Sequence, residues 1–331
     1  MQIALIGLGQ IGTSFGLALS THHKLISCVG CDVDAQVAQL ALQKQAVSRI
    51  YATPQEAVQT ADVVLLSLPM DRLKTVMQQV APEMPAGATL IDTAPLKEVV
   101  GNWARELLPE GRAYVGLTPV INPKYLHGTR TGIQAARQDL FRNAVMAISA
   151  PPWGDPKALK LAADLARLLE AIPVVVDPVD VDTMMSATHI APQLLAAALL
   201  NATVNHASWR DASMLAGRAY AEVSGPVTHL GAPDALATTA LLNAEGVLRV
   251  LDSVLASLET LRNDIATGQV EELSRRLQRA YRERQRWWHE RQQVEEKTAD
   301  LPESKPNQAA GKFSALLRTV HRPQMEDQQS G

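Results

Sequence analysis

Ile3-Ala4-Leu5-Ile6-Gly7-Leu8-Gly9-Gln10-Ile11-Gly12 opens the chain and decides its fold. Ile3 to Ile6 is a short apolar run with the length and composition of a strand buried on both faces. It gives way to three glycines spaced Gly-x-Gly-x-x-Gly, and Thr13 to Ser20 then reads as a helix. A second apolar run, Leu25 to Cys31, ends on Asp32, twenty residues after Gly12. Strand, glycine turn, helix, strand and acidic residue, in that order, form the dinucleotide-binding fingerprint.

Each part has a physical role. Gly7 allows the tight turn out of the strand, Gly9 leaves room for a pyrophosphate against the backbone, and Gly12 lets the helix sit close on the sheet. The helix presents free N–H groups and its positive dipole end to the phosphates. Gly7, Leu8, Gly9, Gln10, Ile11 and Gly12 are thus the expected cradle. Asp32 is placed to accept hydrogen bonds from the adenosine ribose, and Asp34 adds a second negative charge nearby. At an effective dielectric of ~20, two like charges at ~4 Å repel by about 4 kcal/mol, so NAD is expected in preference to NADP.

Outward from this stretch the pattern repeats. Ala35 to Ala46 reads as a helix, Ala61 to Pro69 as a strand ending in a proline turn, and Met70 to Val80 as a helix. Ala88 to Asp92, Lys97 to Leu108 and Ala113 to Leu117 continue the alternation, and the apolar runs Ala144 to Ser149 and Ile172 to Asp177 extend it. Asp155-Pro156 is placed to start the helix between those two runs. Such alternation predicts a Rossmann-type, doubly wound parallel sheet with right-handed crossovers. Ligands bind at the carboxyl ends of such strands, which puts Ser67, Leu68, Pro69, Asp92, Thr93 and Thr118 on the cofactor side.

After Pro178 the strand-like runs stop. Residues 1–177 are expected to form the dinucleotide-binding domain, 178–294 an all-helical substrate and dimerisation domain, and 295–331 a mostly disordered tail rich in Pro, Gln, Glu and Ser. Lys312 to Arg318 reads as a fluctuating part of that tail. Asp182 to Asn205 is apolar almost all round, as in a helix buried on every side. Pro233-Asp234 looks like a helix start. Beyond it, Val247, Leu251, Val254, Leu258, Leu261 and Ile265 form a heptad-type seam, suited to bundle core or to a dimer partner. A charged helix is expected from Glu271 to about Gln293.

Composition excludes other classes. A chain of 331 residues with 47% hydrophobic and 20% charged residues suits a two-domain globular protein. A formal charge of −3 gives no basic footprint for nucleic acid. The N-terminus reads as a core strand rather than a cleavable leader, and Ile190 to Val204 is short for a bilayer span, so a cytoplasmic protein is expected. Cys28 and Cys31 fall on opposite faces of a strand and read as buried residues rather than a redox or metal pair. No metal site is expected.

Several stretches together resemble the prephenate and arogenate dehydrogenases of tyrosine biosynthesis. These are Gly-Leu-Gly-Gln-Ile-Gly, the strand ending at Pro69, Asp92-Thr93-Ala94-Pro95-Leu96-Lys97 and Gly128-Thr129-Arg130-Thr131-Gly132-Ile133-Gln134-Ala135-Ala136. Asp139-Leu140-Phe141 and Ser186-Ala187-Thr188-His189-Ile190-Ala191-Pro192 belong with them. The resemblance runs from residue 1 to about 290. It implies a Rossmann domain followed by a helical dimerisation domain, a homodimer, and NAD- or NADP-linked oxidation of a small carboxylic acid. In that reaction a cyclohexadienol loses carbon dioxide as its ring aromatises.

That chemistry requires a base for the ring hydroxyl and an arginine fork for the carboxylates. The family's catalytic histidine stands in a His-Pro pair, where this chain has Thr118-Pro119. Its serine near the substrate corresponds to Pro95. Its arginine precedes the Pro233-Asp234 helix start, where this chain has Gly225-Pro226-Val227-Thr228-His229, with Arg218 a few residues earlier. Val120 to His127 is an insertion relative to the family. His189 matches a family histidine at the start of the long helix and is the remaining candidate base, with His127 a weaker one. Asn201 and Asn205 line either the cleft or the dimer seam. Two alternatives stand beside this reading: an NAD-binding homologue without dehydrogenase activity, acting as a sensor or partner subunit, and a dehydrogenase for a different small acid. The lysine that hydroxyacid dehydrogenases carry on the long helix is absent from Asp182 to Asn205.

Overall fold

β1 (Gln2–Ile6) leads through the glycine turn into α1 (Gln10–Leu19), and β2 (Ser27–Cys31) follows. The structure, a computed structural model, describes residues 1–229 and 233–298, with the side chains of 229 and 293–298 outside that description. The chain continues through α2 (Ala35–Gln43), β3 (Arg49–Ile50), α3 (Pro54–Val58), β4 (Val63–Leu66) and α4 (Met70–Val80). Next come β5 (Thr89–Asp92), α5 (Glu98–Leu107), β6 (Ala113–Pro119), β7 (Val145–Ser149), α6 (Pro156–Leu168) and β8 (Ile172–Val175).

The eight strands form one sheet in the order β3-β2-β1-β4-β5-β6-β7-β8. β1 pairs in parallel with both β2 and β4, so the strand order reverses beside it and opens a crevice at its carboxyl end. Apolar side chains fill both faces. Leu5, Phe15, Leu65, Val115 and Phe141 pack on one side, and Ile6, Leu66, Leu73, Met77, Leu90 and Val100 on the other. Cys28 and Cys31 are free and buried, one in each layer, as their spacing requires. Burial pushes the Cys28 thiol up to about 12 and, helped by Asp32, that of Cys31 to about 11.

Two strands depart from the expected parallel arrangement: β7 runs antiparallel to β6, and β8 pairs in parallel with β7. The segment between β6 and β7 holds two short 3-10 turns, Pro123–Tyr125 and Gly132–Ala135, and no crossover helix. Without a crossover the chain re-enters the sheet in the opposite sense. β3, only two residues long, has no counterpart among the sequence-predicted strands.

Asp177 accepts the Val179 N–H at 2.9 Å and caps α7 (Pro178–Met185). The helix passes through a π-helical turn at Ser186–Ile190 into α8 (Ala191–Val204). The remaining described helices are α9 (Trp209–Leu215), α10 (Arg218–Ser224), α11 (Pro233–Leu242), α12 (Ala244–Ala266) and α13 (Val270–Thr298). Helix therefore persists three residues past the expected start of the tail at 295, and residues 299–331, with Lys312 to Arg318, lie outside the described residues.

Two expectations for the helices need correction. The long helix is not buried on every side of this chain: within α8 only Ala191, Gln193 and Ala196 are buried. The continuous helix Pro178–Val204 is also longer than the apolar stretch suggested, and by length and composition alone it could cross a membrane. Along the seam of α12, Val247 is buried and Leu251 packs on the core, while Leu258 and Ile265 are 54% and 67% exposed. One end of the seam is core, and the other presents an apolar face to solvent.

Candidate cofactor and substrate site

The glycine turn is built as its spacing demands. Gly7 has φ +93°, and a Cβ there would overlap the Ser67 carbonyl oxygen. A Cβ on Gly12 would overlap the Gly7 carbonyl oxygen. Gly9 differs, because a Cβ there meets nothing within 4 Å. Two glycines are thus required for packing, while the third faces open space at the start of α1. No side chain caps that helix, so its first N–H groups, on Gln10 and Ile11, remain open to an anion. Leu8 is buried, and Ser67 and Leu68, half-buried at the end of β4, floor the turn beside exposed Pro69.

Asp32 lies at the end of β2. Its Oδ2 accepts the Leu8 N–H at 2.7 Å and its Oδ1 the Asp34 N–H at 2.9 Å. A carboxylate offers about four acceptor sites, so two remain for ribose hydroxyls. Asp34 has a structural duty as well: its Oδ1 caps α2 through Gln36 N at 2.8 Å. These residues fit a dinucleotide, since the cradle is open where the phosphate belongs and closed where packing needs it.

Asp92 is placed differently from the cofactor-facing expectation. Its carboxylate is fully buried and engaged by the Ala94 N–H at 2.8 Å, the Lys97 ammonium at 2.7 Å and the Tyr114 hydroxyl at 2.7 Å. Gly116 makes this possible, for a Cβ there would come within 2.6 Å of the Lys97 Cδ. Burial pulls the Lys97 ammonium below its usual range, against Asp92, and drives the Tyr114 phenol well above its own. The cluster continues into the helical region. Asp182 accepts the Lys97 N–H at 2.5 Å and the Glu98 N–H at 3.2 Å, which caps α5 from α7. Its carbonyl and Ser186 Oγ accept from Asn243 Nδ2 at 3.1 and 2.8 Å. Burial raises the Asp182 carboxyl to about 6, with the two backbone N–H groups and Lys97 pulling the other way.

Thr118 faces this junction from the sheet, and His189 lies on the helix that carries Asp182. Thr118 alternates with Gly116 on the Lys97 face of β6, is buried, and leaves its Oγ1 without a hydrogen-bond partner. It pairs with Ala147, which packs in the same cluster as Met184 and Met185 of α7. His189 lies one turn further along that helix, inside the π turn. Its carbonyl accepts a hydrogen bond from Gln193 Nε2 at 2.7 Å. His189 is exposed to solvent, and desolvation by the protein around its ring lowers its pKa.

Other candidates sit elsewhere. The His127 ring packs against Trp288 of α13, with centroids 5.1 Å apart. Arg218 is exposed and paired with Glu222 at 2.7 Å. Asn201 and Asn205 are exposed, linked by an Nδ2-to-carbonyl bond of 3.3 Å. Pro95 is half-buried. The His229 side chain lies outside the described residues. Among the described residues no cluster of His, Cys, Asp and Glu could hold a metal. Sequence reasoning passed over Lys97, Tyr114, Asp182 and Asn243. Gly116 inside a strand was the available signal, because such a glycine often marks the close approach of another group.

A reversed-order, mainly parallel sheet, an open glycine cradle and an acidic β2 terminus, followed by helices, define a Rossmann-type nucleotide-binding protein with a helical C-terminal region. A family model for the prephenate dehydrogenase nucleotide-binding domain matches residues 15–176, and one for its dimerization domain matches residues 177–279. The chain belongs to the prephenate dehydrogenase family. It is 26% identical to prephenate dehydrogenase of Bacillus subtilis over 202 residues, 61% of this chain and 53% of that protein. The match thus spans about half the length of that relative. Cyclohexadienyl dehydrogenase of Zymomonas mobilis is 24% identical over 281 residues, 80% of this chain and 89% of that protein. Prephenate dehydrogenase from A. aeolicus, solved with hydroxyphenyl propionate and NAD+, shares the fold at TM-score 0.75 and 18% identity, over 86% of this chain and 98% of that one. Synechocystis arogenate dehydrogenase does so at TM-score 0.67 and 23% identity, over 87% and 100%.

Proposed function

We propose that this chain is an NAD-dependent dehydrogenase acting on a cyclohexadienol acid of the prephenate or arogenate type. The observation that carries the reading is the open Gly9 cradle at the start of α1, in a chain whose two regions match the family's two domains. Bound NAD supplies the hydride acceptor. The protein's own groups orient the acid and take the hydroxyl proton. His189, its pKa lowered, is neutral at pH 7 and able to accept that proton. Thr118 stands where the family has its histidine, its hydroxyl buried and, among the described residues, unpartnered. Incubation with NAD and prephenate or arogenate, followed by chromatography, should yield the aromatic product from one of them.

Asp32 supports NAD over NADP, since a 2′-phosphate would meet a carboxylate already held in place by two backbone N–H groups. NAD should therefore raise the melting temperature more than NADP, and equal shifts would remove Asp32 from the argument. Exposed Leu255, Leu258 and Ile265 of α12 and the uncovered face of α8 support a homodimer that buries them. In that arrangement a second copy, rather than lipid, covers the long helix, consistent with a cytoplasmic protein. The unoccupied Thr118 Oγ1 also sustains a second reading, an NAD-binding homologue without turnover. NAD binding with no product from either acid would favour it.

A further inference from the structure

Among the described residues, an arginine stands at the carboxyl end of the sheet without a counter-charge. Arg291 of α13 is half-buried and donates Nη2 to the Ile121 carbonyl at 2.9 Å. Ile121 follows Thr118 by three residues, a span of at most about 10 Å in extended chain. β6 runs parallel to β5 and β4, so Ile121 leaves the sheet at the edge where the glycine turn and Ser67 lie.

α13 grips the same loop twice. Trp288, three residues earlier and on the same helix face, packs at a tilt against His127, and Arg291 holds Ile121. The neighbouring arginines are engaged: Arg218 with Glu222, and Arg284 over the rings of Trp287 and Trp288. Arg291 has five N–H donors and directs one to Ile121, and among the described residues it forms no ion pair. Burial lowers its pKa with no carboxylate opposing the effect. A partly desolvated guanidinium without a partner is unfavourable, and an incoming carboxylate relieves it with charge-assisted, bidentate hydrogen bonds.

We propose that Arg291 receives the substrate's carboxylate, reaching the cleft from the C-terminal helix rather than from the segment before Pro233-Asp234. This rests on the reading of the site as one for an aryl-forming acid. The insertion Val120 to His127 then has a purpose: it carries the carbonyl that orients the fork.

Titration of the NAD-saturated full chain with hydroxyphenylpropionate and with its uncharged amide tests the assignment. Arg291→Ala should bind the acid about 10–100-fold more weakly, with amide and NAD affinities unchanged. Arg291→Lys should fall between, keeping the charge without the fork. Arg291→Gln, which can still donate to Ile121, should lose the acid like the alanine variant, separating charge from loop support. Trp288→Ala, which loosens the loop but spares the guanidinium, should weaken acid and amide together. Unchanged acid affinity in both Arg291→Ala and Arg291→Gln, or equal loss of acid and amide, would overturn the assignment while leaving the dehydrogenase reading intact. A wild-type chain that binds NAD but neither probe would overturn the aryl-acid reading and this assignment with it.

Discussion

Substitution of the three glycines one at a time separates cofactor recognition from packing. A side chain at Gly9 enters open space, so Gly9→Val should fold with a melting temperature close to that of the wild type. Its branched side chain would occupy the volume in front of the Gln10 and Ile11 N–H groups, where the pyrophosphate must approach. Several charge-assisted hydrogen bonds, each worth about 1.5–3 kcal/mol, would be lost together, so NAD affinity should fall by at least about 100-fold. Gly12→Ala should behave in the opposite way, because its Cβ overlaps the Gly7 carbonyl oxygen in the backbone itself. Overpacking of this kind costs about 1–3 kcal/mol, and the variant should unfold at a lower temperature. Thermal melts and NAD fluorescence titrations on both variants give the readout. Wild-type NAD affinity in Gly9→Val, or wild-type stability in Gly12→Ala, would refute the reading of the turn.

Three further outcomes are expected. Lys97→Met strands the buried Asp92 carboxylate and should cost about 3–5 kcal/mol in chemical denaturation, with partial recovery in the Lys97→Met, Asp92→Asn double variant; additive losses would deny the pairing. Asp182 has a folded pKa of about 6, above that of an unfolded carboxylate, so its contribution is most favourable below about pH 4 and is lost as pH rises through 6. Between about pH 4 and pH 8 the stability of the wild type relative to Asp182→Asn should therefore fall by up to roughly 3 kcal/mol, and a parallel pair of profiles would exclude a raised pKa. His189→Asn should slow turnover by about 10²–10⁴-fold without weakening NAD, whereas an unchanged rate would mark His189 as structural.

Much of the sheet was legible because its strands are buried on both faces and appear as uninterrupted apolar runs, Ile3 to Ile6 and Val63 to Leu66 being the clearest. Strand direction was not legible in the same way. The run Val145 to Ser149 looks alike in either sense, and its antiparallel pairing follows from the missing crossover helix. The glycine cradle could be read residue by residue because its roles are local. The polar knot of Asp92, Lys97, Tyr114 and Asp182 could not, since its members meet across separations of up to 85 positions. Arg291 and Ile121 are 170 apart, beyond any spacing argument. The uncovered faces of α8 and α12 show a further limit: an apolar stripe is the same whether its partner lies in the same chain or in a second copy.

The most direct test of the dehydrogenase reading is NADH formation by the purified chain given NAD with prephenate and arogenate in separate assays. NADH should accumulate with one of the acids and stay at background without either. A protein that binds NAD yet produces no NADH from both acids would contradict it.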